Sequence, residues 1–418
     1  MAVHGEFERA IFYGVDESRL WVRMMEMAAI GRVGETGVNR PAFSDEDARA
    51  RRLLYQWGMK QGLVAHQDAV GNLFLRYEGT RPQLPAVLAG SHLDSQPMGG
   101  RFDGTYGVLA ALEAITVFRE LGIQLERSLE VVAWSNEEGS RFAPGAMGSQ
   151  VFSGTLGIAE VLSVRDASGT TVQEAARRTI EMLPEASLRA AHQPPAAYLE
   201  AHIEQGPILE RQDAPVGVVT GIQGCAWLEI EVVGEAAHAG TVPEEFRRDA
   251  LVAAIQLIES LRRECLSLSS DCRFTVGRMN VRPNSSNTIP GSVVFTIDLR
   301  HPDTETFANL LRRLRAASIP RPFALTIREL FRHQPESFRP EIVNTIEDVA
   351  ASVRRPAVRL VSGAFHDALF VARCCPVGMI FVRCRNGVSH NPGEYAQSAD
   401  LADGARVLAV ALYRLARL

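Results

Sequence analysis

The sequence predicts a discontinuous α/β protein, in which a smaller α/β domain interrupts a larger one that contains a parallel sheet. Three observations lead to this prediction. A strand-helix-strand pattern covers about residues 84 to 135, a composition break falls at Pro194 and Pro195, and a different order of elements follows residue 213. With 418 residues, the chain also exceeds the length that one core usually serves. We therefore expect a first domain part at 1–212, an insert at 213–331 and a second part at 332–418.

The first part is predicted to form a βαβ unit. "LPAVLAG" is a short apolar run, "TYGVLAALEAITVFREL" has helical periodicity, and "RSLEVVAWS" is rich in β-forming residues. A βαβ unit implies parallel strands, and such sheets bind ligands beyond the carboxyl ends of their strands. Segments 91–104 and 135–140 follow these ends. The second part has the same α/β character, with "PVGMIFV" as a strand before a helix rich in alanine and leucine.

The insert is predicted to be a ferredoxin-like unit, because its elements follow the order βαββαβ. In chain order they are strand "AWLEIEVVGE", helix Pro243–Arg263, strand "CRFTVGRMNV", strand "GSVVFTIDLR", helix Thr304–Ala317 and strand "FALTIREL". Within "SVVFTIDLR", alternation places Phe295, Ile297 and Leu299 on one face and Thr296, Asp298 and Arg300 on the other. One face is expected to pack on helices, and the other to meet solvent or substrate. The guanidinium of Arg300 is a planar fork suited to a carboxylate.

The amino-acid composition argues against a nucleic-acid-binding or membrane protein. A net charge of -5, with 46% hydrophobic and 22% charged residues, is typical of a mildly acidic globular protein. This balance offers no basic face for nucleic acid. No apolar run approaches the ~18 residues of a membrane helix, and the N-terminal segment lacks the apolar core of a signal peptide. We expect a cytoplasmic protein with a small-molecule partner, no nucleic-acid partner and no membrane association.

Residues of metal-ligand type stand at predicted strand ends or in loops. The glycine-rich stretch "GSHLDSQPMGGRFDG" carries His92, Asp94 and Asp103, and later segments add the pair Glu137 and Glu138 and then His202 and His390. Taken singly, such a histidine is more often a hydrogen-bonded structural residue, and an adjacent glutamate pair is more often solvated. Together they supply imidazole and carboxylate ligands without thiolates, a set that suits Zn, Mn, Co or Ni at one or two sites.

Seven ordered motifs carry a family resemblance. They are "GSHLDSQPMGGRFDG", "WSNEEGSRFAPGAMGS", "HIEQGPILE", "HAGTVPEEFRRDA", "RPNSSNTIPG", "IDLRHPD" and "NGVSHNPGEYA". The chain resembles the group of N-carbamoyl-L-amino-acid hydrolases, β-ureidopropionases and allantoate amidohydrolases within the dimetal aminoacylase and carboxypeptidase superfamily. The resemblance implies a discontinuous dimetal-hydrolase catalytic domain, with the ferredoxin-like insert acting as lid and dimerisation domain. It also implies a homodimer.

The resemblance also implies a role for each site residue. Two divalent ions per subunit would be held by His92, Asp103, Glu138, His202 and His390, with Asp103 bridging them. Glu137 would be the general base, taking a proton from the attacking water and passing it to the leaving nitrogen. Asp94 would accept a hydrogen bond from His92 and orient it. Arg300 would bind the substrate carboxylate, with Gln205, His238 and Asn287 as polar groups around the substrate and His238 stabilising the oxyanion.

These implications favour hydrolysis of the ureido C–N bond of N-carbamoyl-L-amino acids, which gives the amino acid, CO2 and ammonia. Two other functions stay open: allantoate amidohydrolase, which uses the same catalytic positions, and an inactive binding protein of the same fold. A peptidase or aminoacylase of the wider superfamily is less favoured, because His238, Asn287 and Arg300 suit a small carboxylated ureide. Two of the site residues also have structural alternatives to these roles. The side chain of Asp94 would then cap its own loop, and Arg300 would form a surface ion pair with Asp298 or Asp303.

The chain departs from the family pattern at Phe365, where a glycine is usual, and at Arg383 and Cys384. The departure at Phe365 bears on substrate choice, because it stands beside His366, which we interpret as structural or pocket-lining.

Overall fold

The computed structural model describes residues 2–417, which form two compact units. One unit comprises the chain up to Thr220 together with Phe338–Leu418, and the other is Gly221–Ser337. The insert predicted over 213–331 thus corresponds to Gly221–Ser337 in the structure. Within residues 2–417, no helix combines the length and the apolar content needed to cross a bilayer.

The elements are as follows. The helices are α1 Ala2–Gly14, α2 Glu17–Ala28, α3 Asp45–Lys60, α4 Thr105–Glu120, α5 Met147–Phe152, α6 Ile158–Ser163, α7 Val172–Glu181, α8 Ile208–Arg211, α9 Ala250–Leu268, α10 Thr304–Arg315, α11 Pro340–Ser352, α12 Asp367–Val371 and α13 Ser398–Leu415. The strands are β1 Arg32–Val33, β2 Gly37–Val38, β3 Val64–Gln67, β4 Leu73–Tyr77, β5 Val87–His92, β6 Leu129–Trp134, β7 Ser187–Leu188, β8 Ala197–Ile203, β9 Val216–Ile222, β10 Gly224–Val233, β11 Ala237–His238, β12 Arg273–Arg282, β13 Thr288–Ile289, β14 Ser292–His301, β15 Ala324–His333, β16 Glu336–Ser337, β17 Ala357–Ser362 and β18 Val377–Val382.

The larger sheet has the strand order β16-β9-β18-β8-β5-β6-β4-β3-β7, and β17 also pairs with β9. The predicted βαβ unit is confirmed, since β5 and β6 are parallel and α4 connects them. Strand β5 also pairs in parallel with β8, and β8 with β18. Strands β5, β6, β8 and β18 are buried along their whole length, as expected of parallel strands covered on both faces.

The carboxyl ends of the parallel strands meet at one edge of this sheet. In the ladders, His92 at the end of β5 lies opposite Trp134 at the end of β6, and His202 near the end of β8 lies opposite Phe381 of β18. The loops that leave these ends carry the remaining residues of ligand type. The topology therefore concentrates them where ligands of open α/β sheets bind.

The second unit contains an antiparallel sheet of four strands in the order β12-β14-β10-β15. Its main elements follow the predicted order βαββαβ, with α9 after β10 and α10 after β14. A short extra ladder joins β11 to β13. The alternation predicted for β14 is confirmed, because Phe295, Ile297 and Leu299 are fully buried in a cluster with residues of α9 and α10, whereas Arg300 is partly exposed.

The first helix of the insert was wrongly predicted to start at Pro243. Only a short 3-10 turn, Glu244–Phe246, forms there, and α9 runs from Ala250 to Leu268. The carboxylate of Asp249 accepts hydrogen bonds from the amides of Leu251 and Val252, which satisfies two of the free donors at the helix start. An N-cap six residues after the proline therefore decides where this helix begins.

Candidate metal centre

Two buried histidines point their Nε2 atoms toward Asp103. The Nδ1 atom of His92 lies 2.9 Å from the main-chain oxygen of Asp94, and Nδ1 of His202 lies 2.9 Å from the main-chain oxygen of Ile203. A carbonyl can only accept, so both Nδ1 atoms donate, and in the neutral imidazole each Nε2 keeps a lone pair for a metal ion. Oδ1 of Asp103 is 3.7 Å from Nε2 of His92 and 3.1 Å from Nε2 of His202. These three side chains form the first ligand triad.

The other oxygen of Asp103 serves a second triad. Oδ2 of Asp103 lies 3.2 Å from Nε2 of His390, which in turn lies 3.5 Å from Oε2 of Glu138. Within each triad the ligand atoms are all less than 4.8 Å apart. Asp103 thus belongs to both triads and turns one carboxylate oxygen toward each. A bridging carboxylate between two cations has this arrangement.

The electrostatics of the cluster fit a pair of cations. Burial by itself would raise the pKa of Asp103, but hydrogen bonds from His202, His390 and His92 hold it well below its usual range. Burial would lower the pKa of His202, yet its contact with Asp103 raises it. Contact with Asp103 also raises the pKa of His390 to about 9. The buried carboxylates therefore demand positive charge, which divalent ions can supply in place of protons on the imidazoles.

The adjacent glutamates Glu137 and Glu138 have different surroundings. The carboxylate of Glu138 accepts hydrogen bonds from Gln96, at 2.9 Å from its amide and 2.8 Å from its Nε2 atom, and is thereby fixed toward His390. Glu137 is buried, and its Oε2 atom lies 3.5 Å from Nε2 of His92. Burial raises the pKa of Glu137 well above its usual range, although His92 opposes the shift. Burial also raises the pKa of Glu138, to about 7. The contacts therefore distinguish the two residues: Glu138 is fixed toward His390, and Glu137 faces Nε2 of His92.

Asp94 orients His92 through its main chain. The acceptor for the imidazole is the main-chain carbonyl of Asp94, whereas its carboxylate Oδ1 atom lies 3.8 Å from Nδ1 of His92. The carboxylate instead accepts the main-chain amides of Glu137 and Glu138, at 3.3 and 3.2 Å. The predicted hydrogen bond from His92 to Asp94 is therefore made by the main-chain carbonyl and not by the carboxylate. This side chain fixes the backbone of the two glutamates.

Gln205 contacts the shared ligand directly. Its Nε2 atom donates to Oδ2 of Asp103 at 3.0 Å and to Oγ of Ser389 at 3.1 Å. The residue has a φ of 55°, in the left-handed region that few residues other than glycine adopt. Its predicted contact with the substrate stays a prediction, and the structure adds a contact that orients Asp103.

Glu394 is a site residue that the sequence analysis missed. Its buried carboxylate accepts the amides of Phe102 and Asp103 at 2.8 and 3.2 Å, and the hydroxyl of Ser389 at 2.8 Å. A Cβ atom on Gly100 would lie 2.0 Å from this carboxylate, so the close approach requires glycine. The glycines of "GGRFDG" were a signal for such an approach, but they do not say which side chain comes near.

A third group of ligand type lies behind His202. Glu200, His202 and His366 also form a cluster of metal-ligand dimensions. However, Oε1 of Glu200 accepts the hydroxyl of Ser91, and Oε2 accepts the amide of Ala368. The ring of His366 packs 4.5 Å from that of His202, and burial keeps its pKa well below the usual range. The hydrogen bonds and packing of this group support His202 from behind.

The residues that depart from the family pattern lie in the same unit. A Cβ atom on Gly145 would lie 3.0 Å from the ring of Phe365, so this ring sits against the loop that follows Glu137 and Glu138. Arg383 forms ion pairs with Asp400 at 2.6 Å and Asp213 at 2.7 Å. Phe365 is therefore the departure that borders the centre.

The remaining predicted substrate residues lie in the second unit. His238 on β11 and Asn287, which directly precedes β13, are both exposed, and the amide of Ala239 donates to the carbonyl of Asn287 at 3.0 Å. Arg300 lies on β14 and pairs with Asp298 at 2.9 Å, the ion pair weighed as its alternative role. Asp303 instead caps α10 through the amide of Thr306. Their substrate contacts stay predictions.

Comparisons with known proteins give a family and several named relatives. Residues 88–414 match the model of peptidase family M20/M25/M40. The chain is 39% identical to an N-carbamoyl-L-amino acid amidohydrolase of Geobacillus stearothermophilus over 96% of this chain and 99% of the relative. It is 35% identical to a probable allantoate deiminase of Oryza sativa subsp. japonica over 91% of this chain and 84% of the relative. The crystal structure of an amidase of the hydantoinase/carbamoylase family from Burkholderia multivorans superposes with a TM-score of 0.91, at 41% identity over 96% and 98% of the two chains.

Proposed function

Because this chain belongs to peptidase family M20/M25/M40, we propose that it is a metal-dependent hydrolase of the ureido C–N bond of N-carbamoyl-L-amino acids. The relative from G. stearothermophilus carries that activity in its name. The observation that carries the proposal is the pair of ligand triads that share Asp103, with the buried base Glu137 beside them. We assign one divalent ion to each triad, and the ligand set suits Zn, Mn, Co or Ni.

The bound ions would supply Lewis acidity, which polarises the scissile carbonyl and makes water a better nucleophile at neutral pH. The chain's own contribution begins with Glu137. Its carboxylate takes a proton from the water that attacks the carbamoyl carbon and returns it to the leaving nitrogen as the C–N bond breaks. Because burial raises the pKa of Glu137, it is a stronger base than an exposed glutamate. The products are the amino acid, CO2 and ammonia.

The insert supplies the groups that bind the substrate in this proposal. Arg300 binds the α-carboxylate, and Asn287 binds the polar groups around the ureido carbonyl, together with Gln205 of the first unit. His238 stabilises the negative charge that develops on the carbonyl oxygen. We further propose that the insert is a ferredoxin-like lid and the dimerisation domain of a cytoplasmic homodimer.

A substrate panel tests this proposal. Metal-stripped protein is reloaded separately with Zn, Mn, Co or Ni, and ammonia release is measured on N-carbamoyl-L-amino acids of varied side chain, N-carbamoyl-β-alanine and allantoate. Activity that returns with metal and is highest on one N-carbamoyl-L-amino acid supports the proposal. No activity on any of these compounds, with metal shown to be bound, would contradict it and favour an inactive binding protein.

Allantoate is the second candidate substrate, and one comparison favours it. The relative from O. sativa is named a probable allantoate deiminase and is similar along most of this chain. Allantoate also combines a carboxylate with a ureido group, so the same residues would serve it. A higher kcat/KM on allantoate than on every carbamoyl amino acid in the panel would select this function instead.

A further inference from the structure

The face of the second sheet that carries Arg300 holds an ordered group of side chains. In the β10-β14 ladder, Cys225 lies opposite Arg300 and Trp227 lies opposite Asp298. In the β10-β15 ladder, Phe331 lies opposite Trp227. Residues directly opposite each other on neighbouring strands project from the same face of a sheet. Three strands therefore bring their side chains together around one acidic residue, Asp298.

Asp298 receives hydrogen-bond donors from two strands. On its own strand, Nε and Nη2 of Arg300 donate to Oδ1 and Oδ2, both at 2.9 Å, in the bidentate geometry of a strong arginine-carboxylate pair. From β10, the indole nitrogen of Trp227 donates to Oδ2 at 3.0 Å, and the thiol of Cys225 lies 3.7 Å from Oδ1. Burial raises the pKa of this thiol to about 12, so it keeps its proton and can donate. The Trp227 ring packs at 4.9 Å on Phe331.

This arrangement differs from an ordinary surface ion pair. Such pairs stabilise a fold little, since two long side chains lose freedom for one screened contact. Here Trp227 and Cys225 fix the acid independently of the arginine, and stacking on Phe331 fixes Trp227. The negative charge of Asp298 also weakens the attraction of Arg300 for any anion. An acid at this position therefore aids carboxylate binding only by holding the guanidinium in one orientation.

We propose that Asp298 is a positioning residue that orients the Arg300 guanidinium for the substrate carboxylate, and that Trp227 and Cys225 fix Asp298. This inference rests on the proposed function, in which Arg300 binds that carboxylate. It assigns part of the selectivity for carboxylated over uncharged ureides to residues that do not contact the substrate. Asp298 acts through Arg300, so its effect falls on carboxylate binding and leaves the chemical step unchanged.

The test compares two substrates on a set of variants. The substrates are the best N-carbamoyl-L-amino acid of the panel and its primary amide, which lacks the negative charge. The variants are Asp298→Ala, the isosteric Asp298→Asn, Trp227→Phe, which removes the indole donor and keeps an aromatic ring, and Arg300→Ala. Glu229→Gln is the matched control, because Glu229 lies on the same face of the sheet, on the neighbouring strand β10, and forms ion pairs with Arg278 and Arg328 instead of Arg300. KM and kcat are measured for each, with the metal content.

We expect Asp298→Ala to raise KM for the carboxylate substrate about tenfold, which corresponds to the loss of a hydrogen bond to a charged group, with kcat within about twofold. Asp298→Asn should act in the same direction. Trp227→Phe should raise KM by about two- to threefold. For the amide substrate, none of these variants should change KM, and Glu229→Gln should change neither substrate.

Two results would overturn the inference. A fall in KM in Asp298→Ala would mean that the acid competes with the substrate for Arg300. Equal changes for the carboxylate and the amide in Asp298→Asn would mean that Asp298 has only a structural role. The Arg300→Ala variant shows whether the positioning role of Asp298 or the proposed function itself is wrong. If its KM for the carboxylate is unchanged, the role of Arg300 itself is wrong, whereas a large effect there with none in Asp298→Asn rejects the positioning role alone.

Discussion

The metal centre and the Arg300 face hold their side chains in opposite ways. At the metal centre, main-chain groups and buried carboxylates do the fixing: carbonyls hold both histidines of the first triad, and Glu394 holds the backbone of Asp103. On the Arg300 face, partly exposed side chains on neighbouring antiparallel strands hold one another. The candidate centre thus depends on loop conformation, and a sheet face depends on strand register.

The comparison predicts which property of the enzyme a substitution in each region should change. Loops that leave parallel strands can bring distant segments to one point, and each ligand then needs its own support. A sheet face needs no such support, because the ladder already sets the spacing of neighbouring side chains. Substitutions at the centre should therefore affect the chemical step or metal binding. Substitutions on the face should affect substrate binding alone.

The largest effect is expected for Glu137→Gln. Loss of the base should lower kcat by about 10²- to 10⁴-fold. The metal content should stay at the wild-type value, because Glu138, and not Glu137, belongs to the ligand triad. Steady-state ammonia release and elemental analysis measure the two quantities on one preparation. Near-normal turnover, or loss of metal together with activity, would refute the division of roles between the two glutamates.

Arg300→Ala should raise KM for the carboxylate substrate by about 10- to 100-fold, with a much smaller change in kcat. Arg300→Lys is the matched variant, since it keeps the charge and loses the planar fork. It should recover only part of the affinity. If the two variants have the same KM as the wild type, the sheet face takes no part in substrate binding.

Glu394→Gln tests how far loop conformation controls the centre. Glutamine keeps one oxygen for the amides of Phe102 and Asp103, but it loses the negative charge and places a donor where the carboxylate accepts the hydroxyl of Ser389. Its hold on the loop that carries Asp103 should therefore weaken. We expect the metal affinity to fall about tenfold, as is usual when a partner behind a metal ligand is lost. Competition with a chelator measures this affinity. An unchanged affinity would show that Asp103 is held in place without Glu394.

The smallest of the predicted effects is the change in local stability when the metal is removed. Within residues 2–417, all three groups of metal-ligand type lie in the first unit. Chelation should therefore speed amide hydrogen exchange in the loops 93–104 and 135–146, because bound ions stabilise only the state that binds them. Exchange in β10 and β14 should not change. Faster exchange in both units after chelation would place a metal-dependent contact outside the two triads.

More of the Arg300 face than of the candidate metal centre could be predicted from local sequence patterns. The alternation of apolar and polar residues along β14 predicted which face of the sheet carries Arg300. A two-residue period can be recognised in one strand without knowledge of distant segments. The ligand types at the ends of β5 and β6 were also visible. The convergence of His390 and His202 on Asp103 came only from the resemblance, because it depends on loop paths that local patterns do not encode.

The features that the sequence analysis missed have a common physical cause. The start of α9 was placed at Pro243, while the cap at Asp249 decides it. Asp94 accepts the predicted hydrogen bond from His92 through its carbonyl, while its carboxylate binds two main-chain amides that the sequence did not reveal. Glu394 was missed although its motif was recognised. In each case a contact between a side chain and the backbone decided the outcome, and such contacts leave no periodic signal in the sequence.

Metal stoichiometry tests the central claim most directly, namely that two triads share Asp103. Stripped protein is titrated with Zn²⁺ in a calorimeter, and the ions bound per chain are counted for the wild type, for His390→Ala and for Asp103→Asn. We predict two ions for the wild type, one for His390→Ala, and weakened binding of both for Asp103→Asn. A single ion per wild-type chain, or two tightly bound ions in Asp103→Asn, would contradict the account.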